Sequence, residues 1–202
     1  GPSNRRTALT FSEIMFHPAP QPGGQNLEFL ELTNTDPYFE DLSGYEITGD
    51  VNYTFPPGTQ IPAKGRLVIA AAPADVAAAA GLTGVLGPWT GSLSNEGGTV
   101  RLQKASGAVV LESSWQGDST RWPAAADGAG HSLVLARPSY GEDSIAAYEA
   151  SASTGGSPGA ADPIPGSPQD FIVINEILAH TPPASGLTDF IELYNAGPLT
   201  VD

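Results

Sequence analysis

Short apolar runs separated by turn residues recur along the chain. Runs such as ALTFSEIMF, LEFLELTN, RLVIAAA and GTVRLQK are five to nine residues long and end near Gly, Pro, Asp or Asn. In GTVRLQK, Val100 and Leu102 alternate with polar residues, as in a strand that has one buried and one solvated face. Runs of this length are too short for typical helices, and their spacing predicts an all-β sandwich or barrel.

One segment departs from this pattern. In PADVAAAAG, Pro73 and Asp75 occupy the first turn of a predicted helix, alanines fill it, and Gly81 is placed to end it. Because it is isolated among strands, we expect a short helix inside a loop.

The strand phrase at the start of the chain returns near its end. FSEIMFHPAP (11–20) resembles INEILAHTPP (174–183) at a separation of 163 residues, and EFLELTN resembles DFIELYN at a separation of 161. A period this long indicates tandem domains rather than solenoid repeats. We therefore predict a first domain over 1–155, a Gly/Pro/Ser linker over 156–170, and the first two strands of a second domain over 171–202.

Charge and composition narrow the possible partners. The chain carries 8 Lys and Arg against 22 Asp and Glu, a net charge of −14, which disfavours binding to nucleic acid and to anionic membranes. It has no cysteine, so disulfides, thiolate zinc sites and cysteine nucleophiles are excluded. No apolar run reaches the length of a membrane helix, so no membrane insertion is expected.

Four segments in order carry a family resemblance: DLSGYEI, YTFPPGTQIPAKGRLVIAA, LGPWTGSLSNEGGTVRLQKASGAVV and RWPAAADGAGHSLVLARP. Together they resemble the lamin tail domain family, in the form found in bacterial secreted and surface proteins. The resemblance implies an immunoglobulin-like β-sandwich, a non-catalytic interaction module and an extracellular or cell-surface location. It transfers no catalytic residue, and we expect an export signal upstream of Gly1.

Two glutamates fall on predicted strand faces that are otherwise apolar. Leu9, Phe11 and Met15 are expected on the same face as Glu13, and Glu31 lies two residues from Phe29. A carboxylate there must find donors or lose its charge. The pair is a candidate cation or acid–base site, but the favoured interpretation is structural, with each glutamate accepting backbone N–H groups at a sheet edge or bulge.

The other candidate sites have weaker support. Asp36, Glu40 and Asp41 offer loop oxygens for calcium but lack the order of an EF-hand loop. Glu13 and His17 form an E-x-x-x-H pair that recurs as Glu176 and His180, yet four strand residues separate such side chains by roughly 13 Å. The three tryptophans are expected in the core rather than on a sugar-stacking surface.

Together these patterns predict a non-enzymatic module of a bacterial exterior protein, with protein or adhesion partners and without an obligatory cofactor. The alternative is an accessory domain that binds glycan or calcium for an enzyme elsewhere in the parent chain. The apolar residues within 171–195 must be covered, because two strands alone cannot bury them. Self-association through these strands is therefore expected.

Overall fold

A computed structural model describes residues 7–117, 122–142, 144–163, 172–179 and 188–195. These residues form fourteen strands, one α-helix and three short 3₁₀ helices. The strands are β1 (Leu9–Met15), β2 (Phe29–Asn34), β3 (Glu40–Asp41), β4 (Glu46–Gly49), β5 (Val51–Thr54), β6 (Gln60–Ile61), β7 (Arg66–Ala70), β8 (Thr90–Gly91), β9 (Gly97–Gln103), β10 (Val109–Gln116), β11 (Leu133–Leu135), β12 (Tyr148–Ala150), β13 (Ile172–Leu178) and β14 (Phe190–Asn195). The helix is α1 (Pro73–Ala80), and the 3₁₀ helices are Ala124–Ala126, Pro138–Tyr140 and Ile145–Ala147.

Two five-stranded antiparallel sheets build an immunoglobulin-like β-sandwich within the first of two compact units, Gly1–Ile164. The first sheet has the strand order β12-β11-β1-β2-β7, and the second has β10-β9-β4-β5-β8. Strands β3 and β6 form a small separate ladder. The predicted fold class is confirmed, including the single short helix among the described residues.

The main core lies between the two sheets and contains side chains from both. In β9 the predicted alternation is confirmed, because Val100 and Leu102 are fully buried while their neighbours are partly exposed. All three tryptophans also belong to this core. The largest fully buried side chains of the first unit are Trp115, Phe11, Phe16, Phe29, Phe55, Leu9, Ile14, Met15, Leu30, Leu32, Leu42 and Ile47.

A bulge in β1 changes which residues face the core. The pairing between β1 and β2 shifts between Phe11 and Glu13, so Ser12 is the extra residue. Leu9 and Phe11 belong to the main core, but Met15 belongs to a second cluster. The prediction that Leu9, Phe11 and Met15 share a face with Glu13 is therefore wrong for Leu9 and Phe11, because the bulge reverses the alternation.

The second apolar cluster covers the outer face of the first sheet. It consists of Met15, Phe29, Val68, Ala70 and Val76, and Val76 is the buried residue of α1. The helix has the predicted ends, with proline in its first turn and Gly81 in the left-handed conformation at φ 66°. This outer cluster places a small second core beside the glutamates of β1 and β2.

The hairpin β13–β14 belongs to the second compact unit, Pro165–Asp202, and repeats the pairing of β1–β2. Leu9 pairs with Asn34 and Ile172 pairs with Asn195, and in both hairpins the register shifts at the third position. The main-core positions of β1–β2 correspond to apolar residues that are exposed in this hairpin, such as Leu193 at 64%. The two hairpins, whose sequences resemble each other, thus also share the same backbone irregularity.

Candidate functional site

Glu13 and Glu31 are direct cross-strand partners on the outer face of the first sheet. Glu13 also pairs with Val134 of β11, and Glu31 pairs with Val68 of β7. The two glutamates therefore lie in the middle of one row across four strands. Their exposed fractions are only 2% and 0%. We call these two residues the glutamate pair.

Glu31 is surrounded by donors from three directions. The hydroxyl group of Ser12, the bulge residue, donates to Oε1 at 2.6 Å, and the Arg66 guanidinium forms an ion pair with the same oxygen. The backbone N–H of Gly159 donates to Oε2 at 2.7 Å. Arg66 supplies the positive charge that a buried carboxylate needs.

Among the residues that the structure describes, Glu13 has hydrogen-bond donors but no ion-pair partner. The Ser132 hydroxyl group and the backbone N–H of Ser157, the latter at 2.8 Å, donate to Oε1, while the Ser157 hydroxyl group lies 3.1 Å from Oε2. Burial raises the pKa of Glu13 from 4.5 to about 7, against the opposing effect of the hydrogen bonds from Ser132 and Ser157. The nearby Glu31 carboxylate contributes to the rise.

Residues 151–163, which we call the strap, follow β12 and cover the glutamate pair. The strap begins as an extension of the sheet, with the Ser151 N–H donating to the Ser132 carbonyl oxygen at 2.9 Å. Further on, the Gly155 N–H donates to the Gly130 carbonyl oxygen at 2.7 Å. Most of the strap lies inside the segment predicted as a linker. The first residues of that predicted linker therefore contact the sandwich.

Gly156 allows the strap to approach Glu13. Its φ is +74°, and a Cβ atom there would lie 2.2 Å from Oε1 of Glu13. The next residues, Ser157 to Ala160, close a turn in which the Ala160 N–H donates to the Ser157 carbonyl oxygen at 2.9 Å. Proline followed by a glycine at φ +82° is typical of a type II turn.

The strap also forms one wall of an open, mostly apolar pocket of about 120 Å³. Phe29 and Val76 line the sandwich side and Gly156 and Pro158 line the strap side. The pocket thus adjoins the glutamate pair, although the carboxylate groups themselves do not line it.

Every carboxylate oxygen of the glutamate pair accepts a hydrogen bond within the first unit. Glu31 has an exposed fraction of 0%, and Arg66 already occupies the position of a counter-cation. The structure thus brings the two predicted residues together. Their carboxyl groups accept hydrogen bonds both from the sheet and from the strap. Each glutamate accepts one backbone N–H group, from Ser157 and Gly159 respectively, beside several side-chain donors. The structural interpretation and cation binding by the pair both stay predictions.

The predicted calcium residues Asp36, Glu40 and Asp41 lie near one another in and after the β2–β3 loop. Asp41 accepts hydrogen bonds from the hydroxyl and N–H groups of Ser43, which lower its pKa. Burial raises the pKa of Glu40. Among the described residues, no three acidic or histidine side chains are grouped so that they could hold a metal ion. A calcium site at this loop stays a hypothesis, and the hydrogen bonds of Asp41 to Ser43 favour the alternative of a solvated acidic turn.

The E-x-x-x-H phrase does not bring its two residues into one site in the first module. His17 contacts Asp127, with 2.6 Å between Nδ1 and Oδ1, whereas Glu13 contacts Ser132 and Ser157. His180 lies outside the described residues. Trp89, Trp115 and Trp122 are all at least 92% buried, so none of them supplies an exposed stacking surface.

Sequence reasoning missed the residues that bind the glutamate pair. Ser12, Arg66 and Ser132 lie on three separate strands or their edges, and nothing in their local sequence marks them as donors. The phrase Gly-Ser-Pro-Gly at 156–159 is a turn signature, but its composition is equally that of a linker. The partner of such a turn is decided by tertiary packing.

The geometry first defines a class, an immunoglobulin-like β-sandwich domain in which a segment of the same chain covers the glutamate pair on the outer face. Residues 2–117 match the Lamin Tail Domain family, and the chain belongs to it. This family consists of non-enzymatic domains of immunoglobulin-like fold that act in protein interactions. No curated protein was found to match the chain.

The structure adds one finding about membranes. Within the described ranges, no helix combines the length and apolar character needed to cross a bilayer, and α1 has only eight residues.

Proposed function

We propose that this chain is part of a bacterial secreted or cell-surface protein in which lamin tail domains follow one another. In that protein the first module acts as a scaffolding or adhesion module that holds protein partners and catalyses no reaction.

The repeated hairpin is the observation that carries the proposal of a tandem array. Its register and bulge are the same in both copies, and the hydrogen bond at the bulge is also the same in kind. Ser12 donates to Glu31 in the first hairpin, and Asn175, which is 163 residues further on, donates to Glu192 in the second. Three shared features that depend on one another support a second domain of the same family.

A scaffolding role is supported by how the first module uses its charged groups. Its buried glutamates accept hydrogen bonds from β1, β7, the residue before β11 and the strap, and its tryptophans are buried in the core. An acid–base catalyst needs a carboxyl group within reach of a substrate proton. The glutamate pair is instead covered by the strap.

Export is supported by composition. The chain is acidic, lacks cysteine, and contains 24 glycines and 19 prolines among 202 residues. Such a surface stays soluble and needs no redox control outside the cell. The exposed apolar face of the hairpin β13–β14 also supports association with another polypeptide or with the remainder of a second domain.

Crosslinking on intact cells tests this proposal, because the sequence contains only two lysines, Lys64 and Lys104, and both are exposed. Cells that produce the parent protein are treated with a membrane-impermeant, amine-reactive crosslinker, and the products are identified by mass spectrometry. We expect links from these lysines to a second polypeptide. The control is a Lys64→Arg and Lys104→Arg variant, which keeps the charge but loses the reactive amines.

Two results would contradict different parts of the proposal. Reaction of the lysines only after cell lysis would refute export. Reaction on intact cells that yields links only within one chain would refute the role in holding protein partners.

A further inference from the structure

We propose that the outer face of the first sheet is a peptide-binding site for Gly-Ser-Pro-Gly turns, with the glutamate pair as acceptor and the strap as its resident ligand. The site is formed within the first module, so the inference does not depend on export or on a tandem array.

The contacts between the glutamate pair and the strap define what the site recognises. Glu13 accepts from both the N–H and the hydroxyl group of Ser157, and Glu31 accepts from the N–H of Gly159. Two of these three donors are backbone groups. The hydrogen bond to Glu31, which forms an ion pair with Arg66, is charge-assisted and therefore stronger than a neutral one. The site therefore recognises a chain conformation together with a single serine hydroxyl group.

Each position of the turn is restricted by a separate neighbour. At Gly156 a side chain would collide with the Glu13 carboxylate. At Gly159 a Cβ atom would lie 2.9 Å from the Leu82 side chain, and its φ of +82° favours glycine. Pro158 fixes its own φ for the turn and also lines the apolar pocket. The required sequence is thus glycine, serine, proline and glycine in that order.

The acceptor side is built independently of the strap. Arg66 pairs with Glu31 and Ser12 donates to it, and both residues belong to strands of the sheet. Ser132, which directly precedes β11, donates to Glu13. Because residues of the sheet hold both carboxyl groups, we expect the acceptor to keep its geometry when the strap leaves. A fixed acceptor with a separable ligand is a binding site rather than a part of the core.

The chain itself provides a near match that lacks one requirement. Residues 166–169 read Gly-Ser-Pro-Gln, so a peptide from this segment keeps the first three residues and replaces the second glycine. It serves as a matched control in a binding assay.

The test begins with the release of the strap in the full chain. Gly156→Ala introduces the colliding methyl group, and Gly107→Ala is the matched control, because Gly107 also has positive φ, at +81°, but has open space around it. We expect amide hydrogen exchange at Ser157 and Gly159 to become at least about 100-fold faster in Gly156→Ala and to stay unchanged in Gly107→Ala. Exchange in β2 should be unchanged in both variants.

The second step supplies the ligand in trans. A peptide of residues 153–163 is added to the Gly156→Ala chain and to the wild-type chain, and binding is measured by fluorescence anisotropy of the labelled peptide. We expect saturable binding to the variant, at least tenfold weaker binding to the wild-type chain, whose site is occupied, and at least tenfold weaker binding of a peptide of residues 163–170.

Three results would overturn the proposal. Equal protection of the strap in Gly156→Ala and Gly107→Ala would show that the turn is not held by the glutamate pair. A released strap without binding of the added peptide would show that the face is no peptide site, and equal binding of both peptides would remove the specificity. If Gly156→Ala does not fold, Gly159→Ala, which disfavours the docked turn because it puts a side chain at φ +82°, undergoes the same tests with the same criteria.

Discussion

The raised pKa of Glu13 makes the stability of the first module depend on pH in a direction opposite to that of ordinary ion-paired carboxylates. The pKa is about 7 in the folded chain and 4.5 in the reference state of an exposed glutamate. Between these values the folded state binds more protons than the unfolded state. The contribution of Glu13 to the free energy of unfolding is therefore complete below pH 4.5 and is lost as the pH rises through 7.

The size of this effect follows from the same two values. Linkage gives a loss of about 2.5 kcal/mol between pH 5 and pH 8 from Glu13 alone. With a typical slope of about 2 kcal/mol per M urea, the unfolding midpoint should fall by about 1 M. Glu31 is the charged group that contributes to the rise, and Arg66 pairs with Glu31 rather than with Glu13.

Glu13→Gln isolates this contribution. Ser132 and the Ser157 N–H both donate to Oε1, so the amide oxygen of glutamine replaces it, and the amide nitrogen can donate to the Ser157 hydroxyl oxygen. Urea unfolding followed by tryptophan fluorescence at pH 5 to 8 should show a pH slope for the wild-type chain that is largely absent in Glu13→Gln. Burial also raises the pKa values of Glu28 and Glu40, so a smaller slope in the same direction should remain in the variant.

Glu46→Gln, at the exposed first position of β4, is the control and should keep the wild-type slope. If Glu13→Gln loses as much stability between pH 5 and pH 8 as the wild-type chain, the assignment of the buried proton to Glu13 is refuted.

Three further outcomes are expected. Asn34→Ala should lower the free energy of unfolding by about 2 kcal/mol in urea titrations. The buried amide group of Asn34 donates to the Tyr38 carbonyl oxygen at 2.7 Å and accepts from the Asp36 N–H. An effect as small as that of the exposed control Asn52→Ala would contradict this expectation. Millimolar calcium should leave the melting temperature of the chain unchanged, because Asp41 is engaged locally, and an increase that a chelator reverses would establish a calcium site. Leu193→Asp should reduce the mass that light scattering gives for the chain at tens of micromolar; equal masses would argue against association through the hairpin.

Local sequence rules account well for the elements of the first module that have strong local signatures. Proline at the start and glycine at the end delimit α1, and alternation identifies the buried residues Val100 and Leu102 of β9. The pairing of Glu13 with Glu31 also follows from their places on adjacent strands. These features depend on residues that are close together in sequence or in one hairpin.

The bulge at Ser12 and the docking of the strap could not be predicted in this way. No glycine or proline marks the bulge, so strict alternation placed Leu9 and Phe11 on the face of Glu13. The strap has the composition of a flexible linker, and its order comes from acceptors that are more than 120 residues earlier in the chain. Contacts at that separation arise from the fold and have no local pattern.

The way the strap closes on itself has a mechanical consequence. The Asp162 carboxylate accepts the N–H of Ala152 at 3.0 Å, so the chain leaves the strap close to where it entered it. The eleven residues from Ala152 to Asp162 therefore add little to the end-to-end length while they are docked. Fully extended, they would span roughly 35 to 40 Å. Tension on the chain beyond Asp162 would load its hydrogen bond to Ala152 first and then those of Gly159 and Ser157, and rupture of all three would lengthen the tether by about that amount while the sandwich stays folded.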